Sequence, residues 1–214
     1  MSWRVRRWTI LSAAAMALTG GLVVATLITG EKPGAQGYRG NLAVVASPLP
    51  EFALRDQVGR LVRSTELRGK VTLLTFLDTK CTAACPIIAS QVARTLPLLT
   101  HDERAQIAVV AISVAPKVDT PANVHAFLRR NHAEGALRYL TGREAQLRPL
   151  WKAFQILSAA ESGEDDTHSA PVRIYNRGGR WIATQHVGAD LSPDNLAHDL
   201  RLALAANEKE DSGD

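Results

Sequence analysis

Two cysteines, Cys81 and Cys85, stand four positions apart in the stretch Asp78-Thr79-Lys80-Cys81-Thr82-Ala83-Ala84-Cys85-Pro86, and the 214-residue chain has no others. A disulfide stabilises a fold mainly by closing a long loop, so a bridge across this spacing would contribute little. The spacing suits a reactive dithiol or a metal clip. A structural bridge, the default for two thiols in an oxidising compartment, is the plain alternative. Pro86 fits the first position of a helix, where its missing N–H costs nothing. Cys85 then lies at or just before the helix cap, with Cys81 in the turn leading to it. The positive end of the helix dipole and the nearby Lys80 cation are both expected to lower the thiol pKa values from about 8.5.

Soft thiolates suit Cu(I), and an added imidazole would let the same site hold Cu(II). The chain has six histidines. His101, His125, His132 and His198 fall on helices or their flanks, where a solvated side chain is expected. His186 falls in a strand candidate, as a packed or exposed strand residue. His168 differs, because it lies in the polar loop ESGEDDTHSAP directly before the strand VRIYN. In a thioredoxin-type sheet that loop faces the cysteine loop. The candidate metal set is therefore Cys81, Cys85 and His168, with Cys81 and Cys85 also a candidate redox pair. An ordinary loop histidine is the alternative for His168.

The elements that must position these residues follow from hydrophobic pattern. FALRDQVGRLVRSTELRGK (52–70) reads as a short hairpin with a turn near Gln57 to Gly59. VTLLTFL (71–77) and IAVVAISV (107–114) are continuous apolar runs rich in β-branched residues, as expected of strands buried on both faces. Helical spacing links Ile87, Val92 and Leu99. Asp119-Thr120-Pro121 places a cap residue ahead of a proline and opens a helix through VHAFLRRN. Leu137 to Leu140 is a short strand and Arg143 to Leu157 a helix. VRIYN (172–176) and WIATQHV (181–187) flank Arg177-Gly178-Gly179-Arg180 as a hairpin. Ser192-Pro193 opens a last amphipathic helix to about Ala206, and the polar tail 207–214 is expected to be disordered. Strand, helix, strand, helix, hairpin and closing helix describe an α/β chain with a mixed central sheet flanked by helices, compatible with a thioredoxin-like fold.

Residues 8–30, WTILSAAAMALTGGLVVATLITG, carry no charge and would span roughly 34 Å as a helix, enough for one transmembrane pass. Arg4, Arg6 and Arg7 precede them, so the positive-inside rule keeps residues 1–7 in the cytoplasm and exports the rest. That topology places the domain on the periplasmic or extracytoplasmic side of the inner membrane or its equivalent. The run exceeds the apolar region of a cleaved signal, which favours an uncleaved anchor over that rival. Residues 31–47 form a turn-rich linker, and 48–206 the folded domain. A net charge of +4 with no later cluster of cations and aromatics gives no case for nucleic-acid binding.

With these pieces in place, the chain resembles the Sco (SenC) family of copper-handling proteins. The resemblance rests on Thr79-Lys80-Cys81-Thr82-Ala83-Ala84-Cys85-Pro86, Ser113-Val114-Ala115-Pro116-Lys117-Val118-Asp119-Thr120-Pro121, Leu140-Thr141-Gly142 and Thr167-His168-Ser169, in that order, and on the N-terminal anchor. It implies a thioredoxin-like fold and copper held by Cys81, Cys85 and His168. It also implies a client: the copper-centre subunit of cytochrome c oxidase, or another exported copper protein. The family pattern has proline and an acidic residue where Thr82 and Ala83 stand, aspartates at Ala115 and Thr167, and often an aromatic at Asp78. Those departures bear on copper affinity and the partner surface.

Three functions compete. A copper chaperone assisting assembly of the oxidase's dinuclear centre uses all three ligands and is the favoured reading. A thiol-disulfide oxidoreductase uses the same cysteines without metal, and would make the protein an enzyme. A copper or redox sensor is the third. A dedicated oxidoreductase more commonly has C-x-x-C and no need of His168.

Overall fold

The computed structural model describes residues 37–156 and 170–211, the last five of them as helix backbone only. His168 and the expected membrane span 8–30 both lie outside the described residues. Among the described residues no helix is long and apolar enough to cross a membrane.

Eight strands form among the described residues: β1 (Asn41–Leu42), β2 (Ala53–Arg55), β3 (Leu61–Arg63), β4 (Val71–Leu77), β5 (Ile107–Ser113), β6 (Arg138–Leu140), β7 (Val172–Tyr175) and β8 (Trp181–Gln185). Six make one sheet in the order β1-β8-β7-β4-β5-β6, while β2 and β3 pair as a separate hairpin. The apolar run of β4 is buried at all seven positions and pairs in parallel with β5 along its length. β6 adds in parallel to β5, and β7 adds antiparallel to β4. This is the mixed central sheet of a thioredoxin-like fold.

Among the described residues five α-helices flank these strands: α1 (Ala84–Thr95), α2 (His101–Ala105), α3 (Pro121–Arg130), α4 (Glu144–Ala153) and α5 (Pro193–Asp211). Side chains alternate across a strand, so β4 sends Leu73 and Leu77 to one face and Leu74 and Phe76 to the other. The first face packs on Ile88 and Val92 of α1, Phe127 of α3, and Leu196 and Leu200 of α5. The second packs on Leu54 and Val62 of the hairpin and on Leu147 and Trp151 of α4. Both faces are covered, which is why β4 and β5 carry unbroken apolar runs rather than alternation.

Several boundaries differ from the sequence reading, among them the end of α4, which stops at Ala153 where a helix to Leu157 is expected. Helix α1 starts at Ala84, so Cys85 lies inside its first turn and Pro86 is the third helical residue, not the first. The proline is harmless there too, since the first four N–H groups of a helix lack intrahelical partners. Within the expected linker 31–47, Asn41 and Leu42 add an edge strand to β8, and the Arg39 and Gly40 amides donate to buried Asp199 of α5. Helix α5 runs to Asp211, past the limit expected near Ala206.

Candidate metal centre

The segment running from the end of β4 into the first turn of α1 carries both cysteines without a disulfide between them, Cys81 6% exposed and Cys85 fully buried. Ala83 occupies the cap position of α1 without a side-chain cap. The acceptor is supplied instead by Cys81, whose Sγ lies 3.4 Å from the Cys85 N–H. The two thiols share a hydrogen bond, and the Asp78 N–H lies 3.5 Å from Cys85 Sγ.

This geometry overturns the expected lowering at Cys85. The hydrogen bond with Cys81, followed by burial, pushes the Cys85 thiol far above its ordinary range, and the Asp78 N–H offsets only part of this. A buried pair shares one proton network, and desolvation disfavours the charged thiolate more than the helix terminus favours it. Lys80, exposed to solvent, does not reverse the balance. Cys85 thus keeps its proton until something displaces it.

Beneath the loop lies a group that the sequence reading treated only as part of a helix start. Thr120, not Asp119, caps α3, accepting from the Asn123 N–H at 3.3 Å. Asp119 turns inward, 3% exposed. Its Oδ1 accepts from the Thr79 N–H at 2.9 Å and the Thr79 hydroxyl at 2.7 Å. Its Oδ2 accepts from the Ser113 hydroxyl at 2.5 Å and the Tyr139 hydroxyl at 2.9 Å. The Tyr139 phenol also lies 2.8 Å from the Leu77 carbonyl. Burial and then Asp119 push that phenol well above its usual value, so it stays a donor. One carboxylate therefore ties the end of β5 and the middle of β6 to Thr79, two residues before Cys81. Helix-start chemistry could not separate Asp119 from Thr120, because both are good cap residues.

The described residues bounding the His168 segment stand beside the cysteine loop. Ile156 on one side and Ala170 on the other line, with Ala84, Arg173, His186 and others, a cavity of roughly 450 Å³. The antiparallel register of β4 and β7, from Thr72↔Tyr175 to Leu74↔Arg173, carries the start of β7 toward the cysteine end of β4. The Ala170–Pro171 peptide is trans. His186 is exposed just past the end of β8 rather than within it. His101 and His132 are exposed as expected, while His125 is half-buried with Nε2 3.1 Å from the Gln57 carbonyl. Among the described residues no three His, Cys, Asp or Glu side chains group as a metal site.

The sequence profile described as SCO1/SenC matches residues 44–205. A SCO2-like protein of Rickettsia typhi is 29% identical over 188 residues, covering 84% of this chain and 88% of the relative. The solution structure of apo Sco1 from Thermus thermophilus superposes with a TM-score of 0.65 at 23% identity, over 79% of this chain and 99% of that one. Bradyrhizobium japonicum ScoI with copper bound superposes with a TM-score of 0.60 at 26% identity, over 73% and 99%.

Proposed function

For a chain that belongs to the SCO1/SenC family, we propose the role of a membrane-anchored copper chaperone that carries copper on Cys81, Cys85 and His168. The observation that carries this reading is the contact between the two thiols, hydrogen-bonded to each other where β4 gives way to α1. Two soft donors already in contact need only small rearrangement to share one Cu(I). Support for His168 comes from the cavity where the residues bounding its segment meet Ala84, the first residue of α1 beside Cys85. Copper is cargo here. Its uptake displaces the proton held by Cys85, since the thiolate is the ligand, and its release requires a client whose own thiolates or imidazoles replace these.

In this reading residues 8–30 hold the protein in the inner membrane or its equivalent, with the N-terminus cytoplasmic and the domain outside. The client is the copper-centre subunit of cytochrome c oxidase or another exported copper protein. A second reading, reduction of that client's disulfide, is favoured by one observation: Cys81 is the more exposed thiol of a contacting pair. Cys81 as thiolate would attack the client disulfide to give a mixed disulfide. Cys85 would then resolve it, so that two electrons and two protons pass to the client and a Cys81–Cys85 disulfide remains.

Substitution of His168 separates the two, because thiol exchange needs no imidazole ligand. In the full-length protein, His168→Ala should weaken Cu(II) binding more than Cu(I) binding and abolish oxidase maturation, while reduction of a model disulfide persists. Normal maturation in the His168→Ala strain would reject the copper role and leave the reductase. A reporter fused after Asp214 that is active in the cytoplasm would reject the topology.

A further inference from the structure

We infer that Asp119 is the positioning residue of the cysteine site: it holds Cys81 and Cys85 in the dithiol arrangement through Thr79, without touching copper itself. This rests on the reading of the dithiol as the working site. Four donors converge on its two oxygens, and two of them come from Thr79 alone, one from the main chain and one from the side chain. A residue whose amide and hydroxyl are both held cannot turn, so the chain leaves β4 along one path. Asp78 extends the hold by accepting from the Lys80 N–H at 2.7 Å. Cys81 is the next residue, and its sulfur meets the Cys85 N–H only if the loop arrives at that angle. The other two donors are Ser113, the last residue of β5, and Tyr139, the middle residue of β6, so the reference frame is the rigid sheet. Burying a carboxylate costs several kcal/mol unless donors satisfy it. All four hydrogen bonds here serve the loop or its footing, and none caps α3, a task left to Thr120.

The test compares full-length wild type with Asp119→Asn, Thr79→Val and Thr79→Ser. Asp199→Asn serves as a control that disturbs a buried carboxylate elsewhere. Cu(I) affinity is measured by chelator competition. The reduction potential is measured by equilibration with dithiothreitol, in which the Cys81–Cys85 dithiol passes two electrons and two protons to oxidised dithiothreitol and becomes a disulfide. Thermal melting of the reduced, copper-free protein reports stability.

Residues that support metal ligands typically alter affinity 10- to 100-fold, and Asp119→Asn is expected to weaken Cu(I) binding about tenfold. The same loss of support for the dithiol shifts its equilibrium toward the disulfide about tenfold, about 30 mV more negative. Thr79→Val, a milder change, should move both quantities in the same direction, and Thr79→Ser should restore them. Asp199→Asn should lower the melting temperature and leave both unchanged. If Asp119→Asn and Thr79→Val melt lower yet match wild type within twofold in affinity and potential, Asp119 is only structural and the inference is wrong. Wild type that binds no Cu(I) would reject the copper reading, while the potential still decides the positioning role.

Discussion

Two of the buried carboxylates, Asp119 and Asp199, are buried with almost equal completeness and used at different places. Asp199 on α5 accepts from the Arg39 N–H at 2.8 Å, the Gly40 N–H at 2.9 Å and the Gln185 side-chain amide at 2.7 Å. It fastens the segment by which the chain joins the domain. Asp119 fastens the segment that carries the thiols. Both obey one rule, that a buried carboxylate needs donors on both oxygens. What differs is the segment each one holds. Burial and hydrogen bonding alone do not mark a functional group; the segment it immobilises does.

Breaking the Asp199 clamp is the severest test of this contrast. Asp199→Ala strands up to three donors, each worth about 1–3 kcal/mol when left unsatisfied in the interior. We expect a loss of about 3 kcal/mol in denaturant unfolding, with Cu(I) affinity kept within twofold. A copper defect as large as that of Asp119→Asn would erase the contrast.

Gly40→Ala probes the same clamp sterically. A Cβ there would sit 2.6 Å from the Thr184 carbonyl oxygen, backbone that cannot move aside cheaply. Overpacking typically costs 1–3 kcal/mol, so we expect about 2 kcal/mol and detachment of β1, seen as faster amide exchange at Asn41–Leu42. Unchanged exchange there would show that the clamp does not depend on close approach.

Acidity distinguishes the regions next. The Cys85 pKa is raised, so below it the thiol holds a proton that Cu(I) must displace. Lower pH therefore favours the proton over the metal, and the apparent Cu(I) dissociation constant should rise about tenfold per pH unit for each proton released. Asp199→Asn should show the wild-type slope. A flat profile between pH 6 and 8 would mean that Cys85 is already a thiolate.

The smallest effect sharpens the assignment of neighbouring residues. Thr120→Ala removes the cap of α3 and should cost about 1 kcal/mol, with no change in the dithiol's reduction potential. A shifted potential would mean that Thr120 shares the task given to Asp119.

Much of the fold was legible because burial leaves a one-dimensional trace. Val71–Leu77 and Ile107–Ser113 announced themselves as apolar β-branched runs, and the Gly178-Gly179 hairpin by a glycine that adopts a positive φ of 72°. The dithiol was visible from its spacing. The raised pKa of Cys85 was not, because the dipole and Lys80 are local features while burial and the Cys81 contact depend on the closed fold. Asp119 was hidden for the same reason: Thr79, Ser113 and Tyr139 lie 40, 6 and 20 residues away along the chain. Asn41–Leu42 escaped notice because a two-residue strand in a Gly- and Pro-rich stretch has no periodicity to detect.

The sulfur that ends the search for a helix cap gives the site a gauge of its own. Cys81 Sγ receives the Cys85 amide proton only while its lone pair is free to accept. A new bond at that sulfur, to a metal or to another sulfur, withdraws electron density from the contact and swings its direction. The Cys85 amide resonance in a proton–nitrogen NMR spectrum should therefore move with every change of state at Cys81, one peak reporting the chemistry of an atom that carries no spin label.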